Sequence, residues 1–160
     1  MERAAFTRAV EEYQDMVYRV ALHSLGNRAD ADDAVQEVFL RLFRYGGPFE
    51  GDGHLRAWLL RVTVNYCRDV LKSPWRRRRM PLKEETLPGF REPEQEELYT
   101  VVMALPEKYR TVLDLFYYEE LSVREIGALL RLNTSAVTTR LGRARALLKK
   151  QLGEGWQDDE

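Results

Sequence analysis

Apolar side chains return every three or four positions through most of the chain, the signature of amphipathic helices packed by one face. Phe6, Val10, Tyr13, Val17 and Val20 make the first stripe, which closes near Leu25-Gly26-Asn27. A second helix is expected from about Asp30, where the run Asp30-Ala31-Asp32-Asp33 sets carboxylates at the positive end of the helix dipole. Val35, Val38, Phe39 and Leu42 turn inward, and Asp33, Gln36, Glu37, Leu40, Arg41 and Arg44 turn outward. Tyr45 to Gly53 is too rich in glycine for regular structure, with Phe49 as its large apolar side chain. Phe49 is either the anchor of that loop or a ligand contact.

A third helix, about His54 to Lys72, carries two apolar faces: Leu55, Trp58, Leu59, Val62 and Tyr66 on one, and Leu60, Val64, Cys67 and Leu71 on the other. Between them runs a polar ribbon, Arg61, Asn65, Arg68 and Lys72, with Asp69 at its edge. A mostly buried helix keeps such a ribbon either as a solvated strip balanced by Asp69 or because it meets an anion, and an asparagine among cations can hydrogen-bond a base edge. Ser73-Pro74 ends the helix, and Arg76 to Arg79 add four adjacent cations whose obvious partner is phosphate. Pro81, Pro88 and Pro93 in an acidic setting mark residues 80–96 as a flexible linker. Extended at about 3.3 Å per residue, it reaches roughly 55 Å.

Beyond the linker Leu98, Val101, Val102 and Leu105 predict a short helix, and Pro106 opens another whose Tyr109, Val112, Leu113 and Phe116 share a face. Ser122 with Glu125 is a capping box, so a helix starts there with Val123, Ile126 and Leu130 as its stripe. Arg131-Leu132-Asn133 breaks the pattern and offers Asn133 as the next N-cap. Val137, Leu141, Ala144 and Leu148 then face inward, while Ser135, Thr139, Gly142 and Arg143 cluster opposite, with Thr138, Lys149 and Lys150 near by. Helix, three-residue turn, helix, with hydroxyls and arginines outward, suits a reading helix in a DNA major groove. The plain alternative is an amphipathic helix with a basic solvated face. Gly142 favours the first, because a mid-helix glycine costs about 1 kcal/mol against alanine and allows close approach to the backbone.

The fold class predicted is all-α: a three-to-four-helix N-terminal domain over residues 1–79, the linker 80–96, a four-helix helix-turn-helix domain over 97–152, and an acidic tail over 153–160. A net charge of -1 looks wrong for a DNA binder, but it conceals a pattern. Residues 1–80 carry +3 and 98–153 carry +4, while 81–97 and 154–160 carry -4 each. Local charge governs groove binding, so a near-neutral total does not oppose it. No apolar run of eighteen residues or basic-flanked leader is present, so a soluble, cytoplasmic protein without membrane insertion is expected. Cys67 is the single cysteine, which excludes an internal disulfide and a multi-cysteine zinc site. A metal-dependent nuclease would need Asp30, Asp33 and Glu37 to converge on a cation, but first-turn carboxylates are usually dipole partners and no histidine accompanies them. His54 beside Glu50 and Asp52 is an equally weak ligand set. No cofactor, metal or catalytic group is expected.

With these pieces in place the chain resembles the extracytoplasmic-function (ECF) sigma factors, from about Phe6 to Leu152. DADDAVQEVFLRLF is similar to their core-polymerase-binding helix and HLRAWLLRVTVNYCRDVLK to their promoter-melting helix, including its Asn-x-x-x-Asp pair at Asn65 and Asp69. LPEKYRTVLDLFYYEELSVREIGALL followed by AVTTRLGRARALL is similar to their second DNA-binding domain. The resemblance implies a non-enzymatic subunit that binds core RNA polymerase and promoter DNA and is commonly restrained by an anti-sigma factor. It implies polymerase contacts at Asp33, Gln36, Glu37, Leu40 and Arg41. It implies -10 DNA contacts at Phe49, Arg61, Asn65, Arg68, Asp69, Lys72 and Arg76. It implies -35 DNA contacts at Thr134, Ser135, Thr138, Thr139, Arg140 and Arg143. The chain departs from the family pattern at Arg131, where glycine is usual, at Thr138, where a basic residue is common, at Lys72, which replaces an arginine, and at Pro74. Arg131 must therefore take a left-handed conformation or the turn must differ. The competing reading from another class is a stand-alone dimeric helix-turn-helix regulator on a palindrome, for which no dimerisation heptad is seen.

Overall fold

The computed structural model describes residues 1–73 and 93–153, with side chains described in the second span from Leu98 onward. The described residues form α-helices, one π-helical turn and loops, and no strand occurs among them. The chain divides into two compact units, Met1–Leu82 and Lys83–Glu160.

The first unit packs three helices on one another: α1 (Arg3–Leu25), α2 (Arg28–Tyr45) and α3 (Asp52–Lys72). Their shared core is built from Val17, Val20, Leu25, Val38, Leu42 and Leu59, all fully enclosed. Gly26 ends α1 in the left-handed region at φ 83°, and its N–H closes the last turn on the Leu22 carbonyl. The next residue, Asn27, caps α2: its Oδ1 accepts from the Asp30 N–H at 2.9 Å while its Nδ2 donates to the Asp30 carboxylate at 2.8 Å. The helix thus starts two residues before the expected position, and Asp30 is a buried cap partner. Thr63, fully buried on α3, satisfies its hydroxyl by donating to the Leu59 carbonyl at 2.7 Å. The Tyr13 hydroxyl donates to the Asp52 carbonyl at 3.3 Å and links α1 to the start of α3.

The second unit contains α4 (Pro93–Met103), α5 (Glu107–Leu113), a π-helical turn (Asp114–Tyr118), α6 (Val123–Leu130) and α7 (Thr134–Leu152). Proline at the first position of α4 fits a site where an N–H would be orphaned anyway, so the helix begins inside the segment whose composition reads as linker. The Arg110 guanidinium donates to the Leu105 carbonyl at 2.9 Å and secures the α4–α5 connection. Leu105, Leu113, Ala144 and Leu148 form one buried cluster under α7, with Val101, Val102 and Tyr109 against it. Phe116, expected on the α5 stripe, instead lies in the π turn and is half-buried. There the Arg145 guanidinium sits 5.6 Å from the Phe116 ring centroid, and its Nε donates to the Tyr117 hydroxyl at 2.7 Å. That contact ties the middle of α7 to the turn.

Candidate nucleic-acid interface

The helix-turn-helix is fixed by three local devices. Ser122 and Glu125 close the capping box, with the Glu125 N–H on Ser122 Oγ at 3.0 Å and the Ser122 N–H on Glu125 Oε1 at 2.9 Å. Arg131 then adopts φ 60°, ψ 45°, the left-handed conformation its position demands. Asn133 caps α7 by accepting from the Ala136 N–H at 2.8 Å. Gly127 makes the turn possible: a Cβ there would stand 2.6 Å from the Leu132 carbonyl oxygen.

With the turn set, Val137, Leu141, Ala144 and Leu148 are buried as expected, and the opposite face of α7 is open. Thr134, Ser135, Thr138, Thr139, Gly142 and Arg143 are exposed and Arg140 is half-buried. A Cβ on Gly142 would meet nothing within 4 Å, so its space is free for something outside the chain. Ser135, Thr139, Arg140 and Arg143 line a surface concavity together with Lys108 and Tyr109 from α5. Lys108 and Tyr109 were not legible as site residues, because the fold brings them to α7 from nearly thirty positions upstream. Lys108 Nζ lies 5.2 Å from the Tyr109 ring centroid, which holds the cation at the rim. Thr138 has its hydroxyl turned back on its own helix, donating to the Thr134 carbonyl at 2.9 Å.

On α3, Arg61, Asp69 and Lys72 are exposed, and Asn65 and Arg68 are half-buried. Arg68 Nη1 donates to Asn65 Oδ1 at 3.1 Å, so the ribbon is internally organised and the Asn65 amide nitrogen is left as the donor. Arg76 lies outside the described residues.

Phe49 is built into an aromatic cluster. Its ring meets Tyr45, His54 and Trp58 edge-on at 5.5, 5.2 and 5.8 Å, and Tyr45 stacks on Trp58 at 5.3 Å and 19°. The Glu50 N–H donates to His54 Nδ1 at 2.9 Å and closes the loop over the start of α3. Tyr45 and His54 are the exposed members of the cluster, Phe49 and Trp58 are half-buried, and the sequence pattern did not single out Tyr45.

On α2, Asp33, Gln36 and Leu40 are exposed. Glu37 and Arg41 pair at 2.7 Å, and the Arg41 guanidinium lies 5.6 Å from the Tyr66 ring centroid on α3. Burial pushes the Tyr66 phenol above its ordinary pKa, and the charges of Asp33, Glu37 and Asp30 add to the effect. Asp30 is buried in the Asn27 cap while Asp33 is exposed, so the carboxylates imagined as a nuclease centre do not converge. No group of three His, Cys, Asp or Glu suited to a metal ion occurs among the described residues.

Residues 9–77 match Sigma-70 region 2 and residues 95–148 match Sigma-70, region 4. The chain is 30% identical over 174 residues to the ECF RNA polymerase sigma factor SigW of Bacillus subtilis, across 94% of this chain and 90% of that protein. The chain belongs to the ECF sigma factors. The RNA polymerase sigma-H factor of Pseudomonas aeruginosa is similar at 28% identity, across 94% of this chain and 88% of that one. Among solved structures, CnrH in complex with the cytosolic domain of CnrY matches with a TM-score of 0.59 at 29% identity, covering 94% of this chain and 89% of CnrH. The sigma factor RpoE in complex with the anti-sigma factor NepR, from Bartonella quintana, shares the fold at a TM-score of 0.69 and 16% identity, across 92% of this chain and 96% of that one. As an ECF sigma factor the chain directs promoter-specific transcription initiation, and the stand-alone regulator reading is not favoured. No helix among the described residues is long and apolar enough to cross a membrane.

Proposed function

We propose that this sigma factor binds core RNA polymerase through the outer face of α2, takes the -10 element with the α3 ribbon and the Phe49 loop, and takes the -35 element as duplex on α7. The observation that carries the proposal is the two-sidedness of α7: a continuous buried stripe backs an open face of hydroxyls and arginines, with Lys108 at its rim. Phosphate contacts from Arg140 and Lys108 set the register, while Arg143 and the hydroxyls near the helix start face base edges. Thr134, Ser135 and Thr139 are the hydroxyl readers on this scheme, and Thr138 stands on the same face with its hydroxyl turned back to the helix.

In the first unit, Arg61, Arg68 and Lys72 supply charge along one strand; Arg76, outside the described residues, is assigned to the same DNA on sequence alone. Asn65 offers an amide donor to a base acceptor. The packed Phe49 ring works as a wall of the aromatic cluster, and the exposed Tyr45 ring gives an unstacked base a surface to lie on. Asp33, Gln36, Glu37, Leu40 and Arg41 form the polymerase contact. CnrH was solved with the cytosolic domain of CnrY and RpoE with the anti-sigma factor NepR, which supports an anti-sigma partner for this protein too. The protein works in the cytoplasm beside the polymerase, with no chemistry of its own.

The test is initiation in vitro. The protein plus core polymerase starts transcription at one mapped site, while the free protein binds the same DNA weakly. Tight sequence-specific binding by the intact free protein, or no association with core polymerase at low salt, overturns the proposal.

A further inference from the structure

Thr138 stands in the first half of α7, exposed, on the segment read above as entering the groove. A threonine hydroxyl owns one proton, and here that proton goes to the Thr134 carbonyl at 2.9 Å. In this arrangement the Thr138 proton is directed away from the acceptors that guanine and thymine show in the major groove. Its Cβ carries a hydroxyl turned back to the helix and a methyl, so the methyl is the apolar tip it can present. The major groove offers one apolar group of its own, the C5 methyl of thymine.

We propose that Thr138 is a thymine-methyl reader that sets a thymine preference at one position of the -35 element. The inference rests on the reading of α7 as the duplex-binding helix and adds the identity of one base contact. It divides labour along the helix: Arg143 and Arg140 supply charge, and Thr138 reads by apolar contact. Replacing Thr138 with serine keeps a hydroxyl able to bond the i−4 carbonyl and removes the methyl. Replacing it with valine keeps the methyl and removes the bond. Both changes fall on an exposed position, so both variants fold.

The experiment uses full-length protein with core polymerase on its mapped promoter. Each thymine of the -35 segment is replaced singly by deoxyuridine, which removes only the C5 methyl. Wild type loses about fourfold in promoter binding at one of these positions, the value of one buried methyl. Thr138→Ser binds thymine and deoxyuridine promoters equally, and Thr138→Val keeps the wild-type discrimination. The proposal is overturned if no deoxyuridine position affects wild type, or if discrimination persists in Thr138→Ser. A randomised -35 segment is the control: if it initiates as well as the native one, the reading of α7 has itself failed.

Discussion

The Leu132 N–H donates to the Gly127 carbonyl at 2.9 Å, while the Leu132 carbonyl oxygen sits 2.6 Å from where a Gly127 Cβ would be. The turn of the helix-turn-helix folds back onto α6 so closely that only hydrogen fits. Gly127→Ala gains up to about 1 kcal/mol of helix propensity. It also forces backbone apart, and overpacking of this kind costs about 1 to 3 kcal/mol. The second effect wins, so chemical denaturation followed by circular dichroism shows a net loss of stability. Equal or higher stability in the variant removes the close approach as a constraint.

Arg131 gives the opposite sign. It holds φ 60°, a conformation that costs an L-residue roughly 1 to 2 kcal/mol. Glycine relieves that cost but frees the unfolded chain by roughly 0.5 to 1 kcal/mol. Arg131→Gly is therefore expected to raise stability by up to about 1 kcal/mol, with promoter specificity unchanged. A drop in the unfolding midpoint counts against a strained turn.

Arg143 and Lys108 share one concavity but differ in their expected effects. Arg143→Ala lowers promoter binding by about 1 to 3 kcal/mol if the guanidinium makes a bidentate base contact, and relaxes preference at one position of the -35 element. Lys108→Ala weakens binding to all sequences alike and reduces the slope of log affinity against log salt by about 0.9, the value of one phosphate contact. Titrations of holoenzyme on promoter DNA at several salt concentrations separate the two. An unchanged slope in Lys108→Ala removes that residue from the interface.

Burial pushes the phenols of Tyr13 and Tyr66 upward from their ordinary value near 10, with Glu12 and Asp52 adding at Tyr13 and Asp33 at Tyr66. A group whose folded pKa is raised contributes its stability in full below the unfolded value and loses it as pH climbs through the folded one. The first unit is therefore expected to weaken above about pH 10. Tyr66→Phe flattens that alkaline limb. Urea titrations across the window give the slope, and equal slopes in wild type, Tyr13→Phe and Tyr66→Phe refute the assignment.

Local rules made much of this legible. Ser122 with Glu125, Asn133, and the stripe Val137, Leu141, Ala144 and Leu148 each act within a few residues, and each stands where its spacing put it. The sequence places the start of α2 two residues late because Asn27 takes the cap; Asp30 stands in the first turn as expected, with its carboxylate held by the Asn27 amide. Nothing in the spacing sets Gly127 apart, since the atom that excludes a Cβ there is the Leu132 carbonyl oxygen of the following turn. Lys108 joins α7 only through tertiary packing, and Phe49 reads as a lone loop residue because the glycine-rich stretch between Tyr45 and His54 has no period that shows which nearby rings it turns toward. The π turn at Asp114–Tyr118 interrupts an unbroken helical period with no glycine or proline to announce it.

α7 is held by four inward side chains, by Arg145 on the π turn and by its own cap, and these anchors are separate from the exposed Thr134, Ser135, Thr138, Thr139 and Arg143. The scaffold behaves as a socket and the outward residues as an interchangeable address. On the proposed reading of α7, swapping a handful of them is expected to redirect such a protein to a different set of genes without asking the domain to fold anew.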